Sequence, residues 1–367
     1  VTDRVGIGIV GCGNISGAYL RAMAGFRILD IRGVADMDQA AAEARAAEFG
    51  VPALAPDALF ADPDIEIVVN LTVPKAHAGV AMRAIDAGKH TYSEKPLAVT
   101  FAEGRRLADH AAAKGLRIGA APDTFLGGGH QEARAAIDEG VIGQPIAGVA
   151  FFGRPGHERW HPNPDFYYQA GGGPMLDMGP YYITGLVNLL GPVAEVNGFA
   201  TMLRRERVIA SQPRCGERIP VEVPTHVAGA LAFRSGAVVQ LTTSFDVPGH
   251  RHSPIEIYGS EGAMLVPDPN RFEGPVEVLR TGGDWTGRPV ACAYAEGNFR
   301  SLGVADMAHA LRSGRPHRAS GALALHVLEV MEAFQVAADS RRTVPIATGV
   351  ARPDPLATSI IDGRIAR

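Results

Sequence analysis

Lysine is scarce in this chain, only Lys75, Lys89, Lys95 and Lys114, and Lys95 stands where a charge can do chemistry. A short strand, His90–Ser93, runs into Glu94-Lys95-Pro96, and a proline can neither extend a strand ladder nor donate a backbone hydrogen bond. Lys95 is thereby set at the carboxyl end of a strand, the edge at which open α/β sheets bind ligands. An unshifted lysine, pKa ~10.4, is a poor acid or base at neutral pH, but burial or a nearby cation lowers it. A solvated lysine after a strand would look the same from position alone. The second constellation is Gly171-Gly-Gly-Pro-Met-Leu-Asp-Met-Gly-Pro-Tyr-Tyr182, leading into an apolar helix that Gly191-Pro192 stops. Asp177 and Tyr181 are four apart and share a helix face. A carboxylate and a phenol on one turn can hold and deprotonate an alcohol if a cation such as Lys95 is close. The helix dipole alone would also stabilise Asp177, and both accounts can hold together.

The segment before that helix, Gly153–Ala170, carries Arg154, His157, Arg159, Trp160, His161, Phe166, Tyr167 and Tyr168. Aromatic faces interleaved with donors suit a ring with C–H faces and hydroxyls, such as a sugar. Arg154, His157 and Trp160 join Lys95, Asp177 and Tyr181 as candidate substrate contacts. The alternative, a loop packing its aromatics on its own domain, fits the sequence equally well.

These groups need a scaffold, and the first third of the chain describes one. Val5–Val10 reads as a buried strand ending in Gly11-Cys-Gly-Asn-Ile-Ser16, after which Gly17–Ala24 has helical composition. In that context Gly11 permits the tight turn, Gly13 lets backbone approach a pyrophosphate, and the helix start at Asn14 and Ile15 supplies free N–H groups. The usual third glycine is Ser16 here, with Gly17 beside it. The second strand, Ile28–Ala35, ends at Asp36, a carboxylate placed to accept from a ribose 2′-hydroxyl and to repel a 2′-phosphate, which favours NAD over NADP. The competing account makes Asp36 a cap for the helix that starts near Asp38. Helices at 39–49, 74–87 and 101–114 alternate with strands at 65–71, 90–93 and 116–120, the βαβα order of a doubly wound parallel sheet. Asn70 and Thr72 lie at a strand's carboxyl end, where they and Glu94 are placed to meet a cofactor. His77, in the following helix's first turn, could also reach it, or could simply hydrogen-bond the helix end.

After Asp123 the pattern changes. Gly127–Gly129 reads as a break, with a helix at 131–139 and a strand at 146–152 following it. From Val193 strands dominate, at 193–200, 225–233, 237–245, 254–259 and 263–267, with turns at 234–236 and 259–262, and helices return at 304–312 and 321–338. The fold class is therefore an α/β Rossmann domain, 1–124, followed by an α+β domain, 125–367, with a large open, mostly antiparallel sheet. The helix after Pro174 can cover one face of that sheet, and a partner subunit the other. His250 and His252 lack a third ligand nearby, so no metal is expected.

A length of 367 residues fits two domains, and 46% hydrophobic with 20% charged residues is ordinary for a globular protein. The net charge of -4 gives no reason to expect nucleic acid or anionic membrane as partner. Three cysteines without metal-ligand spacing point to a reducing compartment, and no apolar run of membrane-spanning length is evident, so a cytoplasmic protein is expected.

Together the residues resemble the Gfo/Idh/MocA family, named for glucose–fructose oxidoreductase, inositol dehydrogenase and a rhizopine-catabolism protein. The resemblance rests on Gly11–Ser16, Gly88-Lys-His-Thr-Tyr-Ser-Glu-Lys-Pro96, Gly171–Gly179 and Ile257-Tyr-Gly-Ser-Glu-Gly262, and spans almost the whole chain. It implies a nicotinamide cofactor, a sugar or polyol substrate, and a C-terminal sheet that makes homodimers or homotetramers. It also implies that Lys95 and Asp177 are the family's catalytic lysine and aspartate. Many members carry histidine four residues after that aspartate. Tyr181 in its place is similar to the branch containing glucose–fructose oxidoreductase and dimeric dihydrodiol dehydrogenase, in which a tyrosine takes the acid/base role. On this fold a sugar dehydrogenase competes with a redox-assisted glycosidase that regenerates its own NAD, and with a non-catalytic sugar or dinucleotide sensor. An acyclic aldehyde or an aromatic diol is a further substrate class.

Overall fold

Both sequence patterns resolve into sheets in a computed structural model, which describes residues 3–356 and the backbone of 360–361 and 364–365. The chain forms two compact units, one of Val1–Gln131, Ala291–Leu328 and Pro353–Arg367, the other of Glu132–Val290 and Glu329–Arg352.

The first unit contains β1 (Val5–Val10), α1 (Ser16–Met23), β2 (Leu29–Ala35), α2 (Gln39–Phe49), α3 (Pro56–Ala61), β3 (Ile67–Asn70), α4 (Pro74–Asp86), β4 (His90–Ser93), α5 (Phe101–Ala113) and β5 (Ile118–Ala120). Its strands pair in parallel in the order β2-β1-β3-β4-β5. Every residue of β1 and β3 is buried, as strands covered on both faces must be, which explains their unbroken apolar runs. The strand order reverses between β1 and β3, so the crevice for a ligand opens at their carboxyl ends. Local signals set the helix limits. Asp38 accepts from Ala40 N (3.0 Å) to start α2, Pro74 opens α4, and Thr100 accepts from Glu103 N (3.3 Å) to start α5. The six-residue α3 was not anticipated. It is too short to show a helical period, yet its Leu59 and Phe60 join Val10, Ala35, Ile65 and Val68 in one cluster.

The units do not follow a single cut after residue 124. Helix α6 (Gly128–Asp138) begins in the first unit, and residues 291–328 return to it. These bring α8 (Leu302–Ser313) and the start of α9 (Gly321–Ser340). The reason is apolar: Leu325 completes a cluster with Ile85, Leu97, Leu107 and Ile118. The Gly127–Gly129 run is no loose break either. Gly128 opens α6, and a Cβ there would stand 2.8 Å from the Ala293 carbonyl oxygen, so close backbone approach fixes that glycine.

The second unit is built on β6 (Pro145–Gly153), α7 (Pro174–Leu190), β7 (Val193–Thr201), β8 (Glu206–Val208), β9 (Arg218–Pro220), β10 (His226–Phe233), β11 (Val238–Ser244), β12 (Ile255–Gly259), β13 (Gly262–Val266), β14 (Val276–Arg280), β15 (Trp285–Arg288) and β16 (Val344–Pro345). Nine of these strands form one sheet in the order β15-β14-β13-β12-β6-β11-β10-β7-β16, in which only the β6–β11 pairing is parallel. Helix α7 packs on β6, β10 and β11, and every one of its residues except Leu176 and Asp177 is buried.

Candidate active site

In the first unit the phosphate turn has the geometry its glycines require. Gly11 has φ +103°, and a Cβ there would lie 2.5 Å from the Leu71 carbonyl carbon, whereas a Cβ on Gly13 would meet nothing within 4 Å. The Ser16 hydroxyl donates to the Gly13 carbonyl (2.6 Å), closing the turn. Helix α1 follows the N-cap Ile15, which makes no side-chain cap; Ser16 N donates to the Gly13 carbonyl (3.2 Å) and Ala18 N to that of Ile15 (3.0 Å), and the positive end of the helix faces the turn. Arg45, which sequence reasoning missed, lays its guanidinium over this turn and donates to the Gly13 carbonyl (3.3 Å).

Asp36 serves the turn directly. One carboxylate oxygen accepts from Cys12 N (2.7 Å) and the other from Asp38 N (3.0 Å), and each keeps a lone pair for a ribose hydroxyl. Burial, with Asp36 second, pushes the Cys12 thiol up to about 11, so this cysteine is no nucleophile.

Asn70 and His77 are fully buried and turned inward. Asn70 Nδ2 donates to the His77 carbonyl (2.9 Å), and its Oδ1 accepts from the Thr72 hydroxyl (2.7 Å). The His77 ring nitrogens face the carbonyls of Pro96 (2.7 Å) and Thr72 (3.0 Å), and burial holds the imidazole below its usual pKa. A neutral ring can donate to only one of those carbonyls. Both residues therefore brace the segments carrying Thr72 and Lys95. Glu94 is buried as well. It accepts from the Tyr19 hydroxyl (2.7 Å) and from Lys95 N (2.9 Å), which fixes the backbone from which the half-buried Lys95 projects.

In the second unit, Asp177 N donates to the Gly173 carbonyl (3.0 Å) in the first turn of α7, and Tyr181 lies buried one turn on. His157 Nε2 is 3.3 Å from Asp177 Oδ2. The imidazole stacks on Tyr167 (centroids 3.8 Å apart, 18°) and meets Phe245 edge-on at 4.7 Å, with Trp160 at 5.3 Å. Trp160 is 62% exposed, whereas Tyr168 is wholly buried, so the loop both packs inward and keeps an open aromatic rim. Arg154 is exposed over the Phe152 ring. A network invisible in the sequence anchors the loop. The buried Glu158 accepts from Tyr168 and from Arg207 (3.2 Å), Arg207 also donates to Asp246, and the Thr225 hydroxyl donates to Asp246 (2.6 Å). His250 and His252 lie on the Phe151 ring, and among the described residues no group of His, Cys, Asp and Glu is placed to hold a metal.

The first unit thus fits a dinucleotide. Gly13 offers open backbone, α1 an uncapped N-terminus, and Asp36 an anchored acceptor, on the edge where β1 and β3 end. Comparison with known proteins agrees. Residues 5–121 match the model of the oxidoreductase family with an NAD-binding Rossmann fold, and residues 130–265 match the GFO/IDH/MocA C-terminal domain. The chain is 29% identical over 287 residues to dTDP-3,4-didehydro-2,6-dideoxy-alpha-D-glucose 3-reductase of Saccharopolyspora spinosa, covering 76% of this chain and 80% of that protein. It is 28% identical to the levoglucosan dehydrogenase of Pseudarthrobacter phenanthrenivorans, covering 56% of each chain, so it spans little over half of that relative. An NAD binding oxidoreductase of Klebsiella pneumoniae superposes with a TM-score of 0.83 at 25% identity, over 95% of this chain and 100% of its own. On its sequence, its two sheets and its cofactor turn, the chain belongs to the Gfo/Idh/MocA family of NAD-dependent oxidoreductases.

Proposed function

We propose that the protein transfers a hydride between a secondary alcohol of a sugar, polyol or sugar derivative and NAD. The observation that carries this is the dinucleotide turn of the first unit with its anchored Asp36; within the second unit, Asp177 beside an aromatic rim supports it. Relatives named as a levoglucosan dehydrogenase and a 1,5-anhydro-D-fructose reductase support the substrate class.

Bound NAD supplies the hydride acceptor, and Gly11, Gly13, Asn14, Ile15, Arg45, Asp36 and Thr72 are the residues that would hold it. Lys95 and Asp177 are assigned to the substrate hydroxyl. Its proton passes to Tyr181 or to Lys95 as the carbon is oxidised. Trp160 is assigned to the sugar ring and the exposed Arg154 to its outer hydroxyls, while His157 meets the substrate only through Asp177.

The quaternary part of the proposal rests on register. Ala232, Val238, Ala147, Tyr258, Ala263, Leu279 and Trp285 are successive cross-strand partners, so they form one row along the sheet. None of them is buried, while their chain neighbours Val239, Ile257, Met264 and Val278 are. A second copy of the chain covers this face in a homodimer or homotetramer, and a monomeric mass by light scattering would rule that out. We place the protein in the cytoplasm, where thiols such as the buried Cys12 and the exposed Cys215 stay reduced. Helix α9 is apolar and long enough to cross a membrane, but 61% of that stretch is buried within the protein.

The test is the appearance of reduced nicotinamide with NAD⁺ or NADP⁺ across sugars, inositols, sugar acids and nucleotide-linked sugars. Net reduction of NAD⁺ by one class is expected. Preference for NADP⁺ would overturn the role of Asp36. Silence with NAD retained by the purified protein would overturn the dehydrogenase in favour of the redox-assisted glycosidase or the sensor.

A further inference from the structure

We propose that His157 is a positioning residue for Asp177, donating from Nε2 to Oδ2 and so fixing the carboxylate's orientation; this rests on the role assigned to Asp177 above. The contact is 3.3 Å in length, between side chains each less than 15% exposed. The tautomer follows from the other nitrogen. His157 Nδ1 is buried and has no hydrogen-bond partner, so a proton there would be an N–H shut away from any acceptor. The proton therefore belongs on Nε2, the nitrogen facing Asp177.

Two features hold the ring in place. It is packed between the stacked Tyr167 and the edge-on Phe245. Its backbone is fixed by the next residue, Glu158, whose carboxylate takes the buried Arg207 and Tyr168 while its carbonyl accepts from Ala210 N (2.8 Å). A loop residue is thereby held as firmly as a helical one. A carboxylate that must receive a hydroxyl gains from losing its rotational freedom beforehand, and misplacement by about 1 Å can cost roughly 100-fold in rate.

Two substitutions separate donation from packing. His157→Gln keeps a neutral N–H near the Nε2 position but loses the ring. His157→Phe keeps the ring between Tyr167 and Phe245 but loses the donor. With the fastest sugar of the panel, the expected order is kcat of wild type, then Gln within about 10-fold, then Phe down about 100-fold, with NAD affinity unchanged in both. The reverse order, Phe active and Gln impaired, would assign His157 to ring packing and overturn the proposal. A readout without substrate accompanies it. Nitrogen-15 NMR of the wild-type imidazole, assigned by its loss in His157→Gln, should show the Nε2–H tautomer, and its signal should shift in Asp177→Asn. An Nδ1–H tautomer, or no response to Asp177→Asn, overturns the pairing. Full turnover by Asp177→Asn would instead remove the role of Asp177, whatever the NMR shows.

Discussion

At the scale of single residues, the groups proposed for chemistry have neighbours arranged to hold them still. Lys95 is half-buried, yet Glu94 beneath it is tied to both Lys95 N and Tyr19, and His77 is wedged between the carbonyls of Thr72 and Pro96. The expected result is that Lys95→Met lowers kcat by about 1,000-fold, the loss of a positioned proton-transfer group, while the NAD dissociation constant changes less than about threefold. Stopped-flow turnover and fluorescence titration with NADH separate the two, and equal loss of both would move Lys95 from the chemistry to cofactor binding. The candidates Lys95, Asp177 and Asp36 stand out in the sequence because each lies at a punctuated point, a proline, a glycine run or a strand end. Their supports were not. Tyr19 lies 75 positions from Glu94, and no spacing rule relates them. His77 shows the opposite case: it was visible in the sequence, but only its burial reveals that both nitrogens face inward.

At the scale of elements, strong periodicity and caps made α2, α7, the parallel strands and the central strands of the large sheet readable, whereas α3, the short β8 and β9, the outer strands β14, β15 and β16, and the loop network were closed to pattern. A six-residue helix lacks two full turns of period. The network of Glu158, Arg207 and Asp246 joins a loop, β8 and the end of β11, elements whose proximity only the tertiary fold creates. Arg207 is 5% exposed and lies between two carboxylates. Removing it as Arg207→Met leaves the buried Glu158 and the largely covered Asp246 with hydroxyl donors but no countercharge, and the expected loss is about 3–5 kcal/mol of stability in the second unit. Adding Glu158→Gln and Asp246→Asn to that variant should recover a large part, because the cost is that of uncompensated charge and not of lost volume. Urea unfolding of the single and triple variants checks both statements. A single variant within about 0.5 kcal/mol of wild type would mean that water already reaches these groups.

At the scale of the whole molecule, composition and net charge gave no reason to expect nucleic acid or anionic membrane and said nothing of how stability responds to pH, because that depends on groups whose environments the fold makes. Two such groups lie in the first unit and act in opposite senses. Asp123 is fully buried, its carboxylate accepting from Ser301 N (3.0 Å) and Gly303 N (2.9 Å) at the start of α8, and burial pushes its pKa up to about 6. Between about pH 4 and 6 the folded state holds a proton that the unfolded chain has released, so this group lowers stability as pH rises, by about 3 kcal/mol across the window. His317, donating from Nε2 to the Ile118 carbonyl (3.0 Å), is pushed down to about 4 by burial. There the unfolded chain binds the proton that the folded ring refuses, so stability rises with pH between about 4 and 6.5, by a similar amount. The two nearly cancel in the wild type. Asp123→Asn keeps an oxygen for the two amides but removes the first effect, so its stability should fall as pH is lowered from about 6.5 to 4.5. His317→Gln keeps an N–H for Ile118 and removes the second, so its stability should fall as pH is raised over the same range. Urea midpoints of the two variants at both ends of the window must therefore move in opposite directions relative to wild type. Parallel movement would show that neither group titrates in the folded protein as its burial requires.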